Sequence, residues 1–99
     1  MSNHSRAKGV KGEREVRDLF EQRGFHVRGL EGGGDHLAIG HGCTLHLEVK
    51  RKERINVWEC LTQAETEAPP DVPALLVFRR NRSAWKICID AHDFLELIT

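Results

Sequence analysis

From Cys43 to Lys50 apolar and polar side chains alternate, and this pattern constrains the fold more than any other in the chain. The apolar set comprises Cys43, Leu45, Leu47 and Val49. The polar set comprises Thr44, His46, Glu48 and Lys50. A period of two predicts a β-strand with one face in the core. Glu48 and Lys50 should therefore project from the same face, one pleat apart.

A second short strand is predicted just before this one, and it brings another carboxylate. Leu37-Ala38-Ile39 is apolar, and Gly40-His41-Gly42 supplies the turn between the two strands. A hairpin of this length can place Asp35 near Glu48. Two adjacent carboxylates repel each other unless a proton or a cation lies between them. Mg²⁺ takes oxygen ligands and keeps several waters, so it suits such a pair, and Lys50 could then hold or help to deprotonate an attacking water.

The remaining patterns predict a small α/β fold of the α+β kind, with a central mixed sheet flanked by helices. Helices are predicted over residues 12–23, from the N-cap Asn56 to the Pro69-Pro70 pair, and after the cap residue Asp90. Strands are predicted over residues 25–28, 37–39, 43–49, 74–78 and 85–89. The order is α-β-β-β-α-β-β-α. We expect one domain over residues 1–99, with residues 1–8 as a flexible basic arm.

The first helix offers a further acidic residue. Its apolar stripe is predicted at Val16, Leu19 and Phe20, and at 100° per residue Glu13 lies nearer to that stripe than Glu15. We therefore expect Glu13, rather than Glu15, to face the sheet. Acidic residues also favour the positive N-terminal end of a helix, and that effect alone would explain an acid here. On the second helix, a wheel angle far from the apolar stripe predicts that Gln63 is exposed.

In their order along the chain, these residues resemble the signature of the PD-(D/E)XK nucleases, and most nearly that of archaeal-type and phage Holliday-junction resolvases. The matching segments are Gly9-Val10-Lys11-Gly12-Glu13-Arg14-Glu15, Gly24-Phe25-His26-Val27-Arg28, Gly34-Asp35, Glu48-Val49-Lys50 and residues 77–85. Gly34 stands where the superfamily name has Pro. The resemblance covers residues 8–89 and implies a restriction-endonuclease-like core.

The same resemblance implies a metal-dependent DNA endonuclease that hydrolyses phosphodiester bonds. Asp35 and Glu48 would bind Mg²⁺ or Mn²⁺ together with the backbone carbonyl of Val49, and Glu13 would bind a metal ion or its water. Lys50 would orient and activate the nucleophile, and cleavage would leave a 5′-phosphate and a 3′-hydroxyl. Resolution of a four-way junction needs two symmetric cuts, which implies a homodimer. Its interface would bury apolar surface, with candidates at Trp58, Trp85 and the last helix.

The basic residues occur in blocks, although the net charge is zero and DNA-binding proteins are usually basic. Residues 1–30 carry seven basic and four acidic side chains. Residues 49–54 carry four basic and one acidic side chain, and residues 79–86 carry four basic and no acidic side chains. The blocks could converge into a path for DNA, or they could form an ordinary solvated surface. The side chains expected to contact phosphates are Lys8, Lys11, Arg14, Arg28, Arg51, Lys52, Arg79, Arg80 and Arg82.

Other features suggest the cellular setting. No run of eighteen apolar residues occurs, so no membrane span is expected, and residues 1–6 lack the apolar stretch of a secretion signal. Three widely spaced cysteines, Cys43, Cys60 and Cys88, are expected to be reduced core residues of a cytoplasmic protein. Compactness and the likeness to phage resolvases suggest a phage origin, which would place the protein in the host cytoplasm.

Three alternatives stay open on sequence grounds. A nicking or flap-type phage endonuclease would use the same site residues. A catalytically silent DNA-binding module would have no need of Lys50 beside paired carboxylates. The five-residue spacing of His36, His41 and His46 around Cys43 suggests a zinc site as the third alternative, but no second pair of Cys or His residues at zinc spacing follows.

The three glycines of residues 32–34 form either a mobile loop beside the site or a plain turn.

Overall fold

The computed structural model describes residues 3–29 and 35–99, and for residues 3–8 the backbone alone. Within these residues the element order is the predicted one: α1 (Asn3–Glu21), β1 (His26–Gly29), β2 (Asp35–Gly40), β3 (Cys43–Arg51), α2 (Val57–Glu67), β4 (Ala74–Arg79), β5 (Lys86–Cys88) and α3 (Ala91–Ile98). The predicted mixed sheet flanked by helices is confirmed. The predicted glycine-rich loop, including Gly34, lies outside the described residues.

The strands form one sheet in the order β1-β2-β3-β4-β5. β1, β2 and β3 are antiparallel neighbours, as their short connections require. β3 and β4 are parallel, with α2 as the connection between them, and β5 returns antiparallel to β4. The parallel pair lies at the centre of the sheet, and Leu47, Leu76 and Val77 there are fully buried.

The first helix differs from its prediction at both ends. It begins at Asn3 rather than at residue 12, because Gly9 and Gly12 each weaken a helix by about 1 kcal/mol without ending it. It ends at Glu21, and Gly24 then adopts a φ of 93°, which suits a glycine at the C′ position of a helix. The flexible arm over residues 1–8 stays a prediction.

One face of the sheet is apolar and packs against α1. Val16 and Phe20 of the helix contact Ala38, Leu47 and other core residues of the strands. Leu19 was predicted to join this stripe but is exposed, because the helix packs along the row of Gly12, Val16 and Phe20. A Cβ on Gly12 would lie 3.1 Å from the Cβ of Arg51, so glycine there allows a close approach.

The opposite face packs against α2 and is partly polar. Leu37, Leu76 and Ala64 supply its buried apolar part. Asn56 caps α2 as predicted, since its Oδ1 accepts a hydrogen bond of 3.0 Å from the Glu59 amide. Because successive strand residues alternate between faces, the even-numbered residues of β3 point toward this side.

The hairpin between β2 and β3 has a two-residue turn that fixes the pairing of these strands. His41 and Gly42 have φ values of 53° and 77°, and positive φ at both positions matches the right-handed twist of the flanking strands. His41 Nε2 donates a 2.6 Å hydrogen bond to the carbonyl oxygen of Arg23, which ties the turn to the end of α1. Leu37 therefore pairs with His46, and Asp35 with Glu48.

One further prediction needs correction. The three cysteines are free, but they are half-buried rather than core residues, because each lies toward an end of its strand or near the start of α2. α3 buries none of its residues, and Phe94, Leu95, Leu97 and Ile98 are exposed. None of the described helices is both long enough and apolar enough to cross a membrane.

Candidate metal centre

Asp35 and Glu48 are direct cross-strand neighbours. Asp35 is the first residue of β2 and pairs with Glu48 of β3, so both carboxylates project from the α2 face of the sheet. Lys50 follows on the same face, with its Nζ 3.4 Å from Glu48 Oε1. The geometry therefore brings together these three residues of the predicted site.

Two further side chains join this group. His46 precedes Lys50 by two pleats on the same face, and Glu67 reaches the group from the last residue of α2. One ligand atom from each of Asp35, His46, Glu48 and Glu67 lies within 4.8 Å of all the others. We call these four residues the Asp35 cluster.

Three buried polar atoms of the cluster have no hydrogen-bond partner among the described residues. Glu48 is 6% exposed, and its Oε2 has no partner among the described residues. His46 is 0% exposed, and neither of its ring nitrogens has one. His46 Nε2 lies 3.8 Å from Asp35 Oδ2, which is too long for a hydrogen bond. Buried polar atoms normally find partners, so these atoms are free to act as ligands for an ion.

The pKa of Asp35 is raised because another carboxylate lies close to it. The Glu48 carboxylate beside it is the main cause of a pKa above the ordinary value for Asp35, and burial adds to the rise. Contacts with Glu67 and His46 oppose it. A divalent cation would relieve the repulsion between the two carboxylates, and carboxylate oxygens with an imidazole nitrogen form a plausible donor set for one. The residues present therefore fit the metal ion that the sequence predicted.

Glu67 is the residue that sequence reasoning missed. It follows Ala64 by three positions, which places it at the edge of the buried face of α2, and this wheel position was the available signal. Gln63 is exposed, as predicted. Its Nε2 donates a 3.1 Å hydrogen bond to Glu67 Oε1, so it contacts the cluster through Glu67 rather than directly.

Glu13 is placed apart from this group. It lines a cleft of about 180 Å³ with Val10, Arg14, Arg17 and His36. His36 follows Asp35 in β2, and strand alternation directs its side chain to the α1 face, opposite the Asp35 carboxylate. The geometry thus puts Glu13 on the other side of the sheet from Glu48.

The carboxylate of Glu15 in α1 contacts Arg51 of β3, Arg79 of β4 and Trp85, the residue before β5. Oε1 accepts 3.0 Å and 3.1 Å hydrogen bonds from Arg79 Nη1 and Trp85 Nε1. Oε2 lies 3.8 Å from Arg51 Nη1, and the Arg79 guanidinium stacks 5.6 Å from the centre of the Trp85 ring. We call these four residues the Glu15 cluster. Two of the arginines predicted to contact DNA are therefore engaged within the protein.

The other side chains predicted to contact phosphate, apart from Lys8, are exposed to solvent. They are Lys11, Arg14, Arg28, Lys52, Arg80 and Arg82. The turn after β4 is held by Ser83 and by a 2.7 Å hydrogen bond from the Asn81 amide to Glu53, which leaves Arg80 and Arg82 at its tip. The side chain of Lys8 lies outside the described residues.

The three histidines that raised a zinc site do not converge. His46 belongs to the Asp35 cluster, His36 faces α1, and His41 is bonded to the end of α1. Within residues 9–29 and 35–99, the group that could hold a metal contains one histidine and three carboxylates and no cysteine. This set is unlike the sulfur- and histidine-rich sets of structural zinc sites.

The similarity of this chain to known proteins lies in its fold. No protein-family model matches the chain, and no curated protein is significantly similar to it in sequence. Among solved structures, the chain is similar to Hjc of Archaeoglobus fulgidus, a Holliday junction resolvase from an archaeal hyperthermophile. The TM-score is 0.67 over 83% of this chain and 72% of that one, at 22% identity. The chain therefore has the fold of an archaeal Holliday junction resolvase, as the sequence resemblance predicted.

Proposed function

We propose that this protein is a metal-dependent, structure-specific DNA endonuclease of the Holliday-junction resolvase type. The observation that carries this proposal is the convergence of Asp35, Glu48 and Lys50 on one face of a resolvase fold. Paired carboxylates beside a lysine suit phosphodiester hydrolysis, because that reaction needs a bound cation and a positioned nucleophile. A silent DNA-binding module on this fold would gain nothing from two carboxylates that repel both each other and DNA.

Each site residue has a proposed task. Asp35 and Glu48 would hold Mg²⁺ or Mn²⁺, with the backbone carbonyl of Val49 as a further ligand. The ion, when bound, would supply Lewis acidity that lowers the pKa of water and stabilises charge on the phosphate. Lys50 would orient the attacking water and offset the charge that develops on the phosphate. Glu13 enters this proposal through the sequence resemblance and its angle on the helix wheel.

DNA would be held by the exposed basic side chains. Arg80 and Arg82 at the turn after β4, together with Lys11, Arg14, Arg28 and Lys52, would contact phosphates and so position the duplex without reading its sequence. Lys8, Arg51 and Arg79 complete the proposed set. Arg51 and Arg79 would have to contact phosphate while they remain paired with Glu15.

A homodimer is proposed because a four-way junction has two strands to cut. α3 supports it, since an amphipathic helix that buries none of its own residues leaves Phe94, Leu95 and Ile98 for a partner. Trp58 is 83% exposed and is the other candidate for that interface, whereas Trp85 is engaged with Glu15. Sedimentation equilibrium of the protein and of a Leu95→Glu variant tests the interface. We expect a dimer for the first and a monomer for the second.

A cleavage assay tests the function. The substrates are a four-way junction, a flap, a linear duplex and a single strand, each with Mg²⁺, with Mn²⁺ and with EDTA. We expect metal-dependent cuts in the junction that leave 5′-phosphates. Equal cleavage of all duplex substrates would refute the resolvase assignment but keep the nuclease. No cleavage of any substrate with either metal would refute the nuclease.

A further inference from the structure

His46 is the most unusual side chain in the described part of the chain. It lies in the middle of β3, is fully buried, and has no hydrogen-bond partner for either ring nitrogen. A buried imidazole without partners loses its hydrogen bonds to water and gains none in return. A leucine or valine at this position would avoid that cost. The position therefore retains a nitrogen that the fold does not need.

The surroundings of His46 indicate what the nitrogen could bind. Its ligand atom lies within 4.8 Å of carboxylate oxygens of Asp35, Glu48 and Glu67. Bonds of about 2.1 Å to one metal ion place ligand atoms up to about 4.2 Å apart. A small adjustment of side chains would therefore bring all four onto a single ion. Gln63 limits the freedom of Glu67, since it donates a hydrogen bond to that carboxylate.

We infer that His46 Nε2 and a Glu67 oxygen complete the coordination of the ion held by Asp35 and Glu48, and that this donor set selects Mn²⁺ over Mg²⁺. Mg²⁺ prefers oxygen ligands and retains several waters, whereas imidazole nitrogen suits first-row transition metals. The selectivity rests on the proposed nuclease site and deepens it. Neither residue is part of the Asp35, Glu48-Val49-Lys50 motif, so the selectivity would be a property of this chain.

Metal binding to the whole protein tests the selectivity without any cleavage reaction. Titration calorimetry with Mn²⁺ and with Mg²⁺ would compare the protein with His46→Gln, which replaces the imidazole nitrogen donor by an amide oxygen. We expect His46→Gln to lower the Mn²⁺ affinity by about 10-fold or more and to change the Mg²⁺ affinity by less than about twofold. Glu67→Gln should lower the affinity for both ions. The matched controls are the exposed His26→Gln and Glu65→Gln, which should change neither.

A second measurement uses the unaltered protein, so it does not depend on how a variant folds. Electron spin-echo modulation of bound Mn²⁺ detects a directly coordinated nitrogen. We expect imidazole nitrogen modulation in the protein and in His26→Gln. Mn²⁺ that binds with oxygen ligands alone, or equal losses of Mn²⁺ and Mg²⁺ affinity in His46→Gln, would overturn the role of His46 and leave the nuclease proposal standing. No binding of either ion would overturn both.

Discussion

The Asp35 cluster and the Glu15 cluster both bring charged side chains together, but they differ in how far opposite charges balance. In the Glu15 cluster, one carboxylate receives two hydrogen bonds and pairs with two guanidinium groups. In the Asp35 cluster, three carboxylates meet one unpartnered imidazole and a single lysine. The first cluster holds α1 against the strand ends and stabilises the fold. The second has three carboxylates beside one lysine, and this excess of negative charge is the reason that we propose it as the metal site.

The largest effect is expected at Lys50. Lys50→Ala removes the positive charge beside Glu48 and should lower the cleavage rate by about 10²–10⁴-fold. DNA affinity should change little, because one lysine is a small part of the basic surface. A gel-shift titration and a single-turnover cleavage assay measure the two effects separately. Lys86→Ala, an exposed lysine on β5, is the control. DNA binding that disappears together with cleavage would count against a catalytic Lys50.

The Glu15 cluster should respond in stability. Glu15→Gln leaves two partly buried guanidinium groups without their carboxylate and should lower the free energy of unfolding by about 2 kcal/mol. For a domain of this size, that corresponds to a melting temperature about 10 °C lower. Circular dichroism measures it, with the exposed Glu21→Gln on the same helix as the control. An unchanged melting temperature would show that the cluster does not hold the fold.

A smaller effect is expected where the protein meets the DNA backbone. The affinity for DNA should fall steeply with salt, because phosphate contacts release counterions. Changing Arg80 and Arg82 together to Gln should lower the slope of log affinity against log salt by about 2. The control, Arg17→Gln with Arg23→Gln, removes the same charge from residues outside the proposed contact set. Equal slopes for both double variants would rule out a specific role for the turn after β4.

The smallest effect is expected at Asp35 in metal-free protein. Its raised pKa means that the ionised form is disfavoured in the folded state, mainly because Glu48 is adjacent. Stability should therefore increase as the pH falls through the raised pKa of Asp35, since the folded state binds the proton more tightly than the unfolded state does. Asp35→Asn should raise the melting temperature by about 3 °C near neutral pH, and this advantage should shrink at acidic pH. The exposed Asp18→Asn should show no such trend.

The sequence predicted those parts of the molecule that depend on local patterns. The alternation in β3 predicted that Glu48 and Lys50 project from the same face of the sheet. The turn at His41 and Gly42 fixes the strand register, which pairs Asp35 with Glu48. Packing between distant elements was not predictable in the same way. Glu67 reaches the site only because α2 crosses from β3 to the parallel strand β4, and no short-range pattern encodes that distance.

The acidic residues of α1 illustrate the same limit. A helix wheel separates Glu13 from Glu15 by angle, but it cannot tell which strand end each one meets. Glu15 meets Arg79 and Trp85, which are more than sixty positions away in the sequence. The wheel favoured Glu13 as a site residue, and the packing of α1 puts it in a cleft beside His36.

The melting temperatures of the protein and of Asp35→Asn, each with and without a saturating divalent metal, test the central claim most directly. Without metal, Asp35→Asn should be the more stable of the two, because one of the repelling charges is gone. With Mn²⁺ or Mg²⁺ bound, the order should reverse, because a ligand that binds only the folded state stabilises more the protein that binds it more tightly. An order that stays the same in metal and in EDTA would contradict the claim that the Asp35 cluster is a metal site.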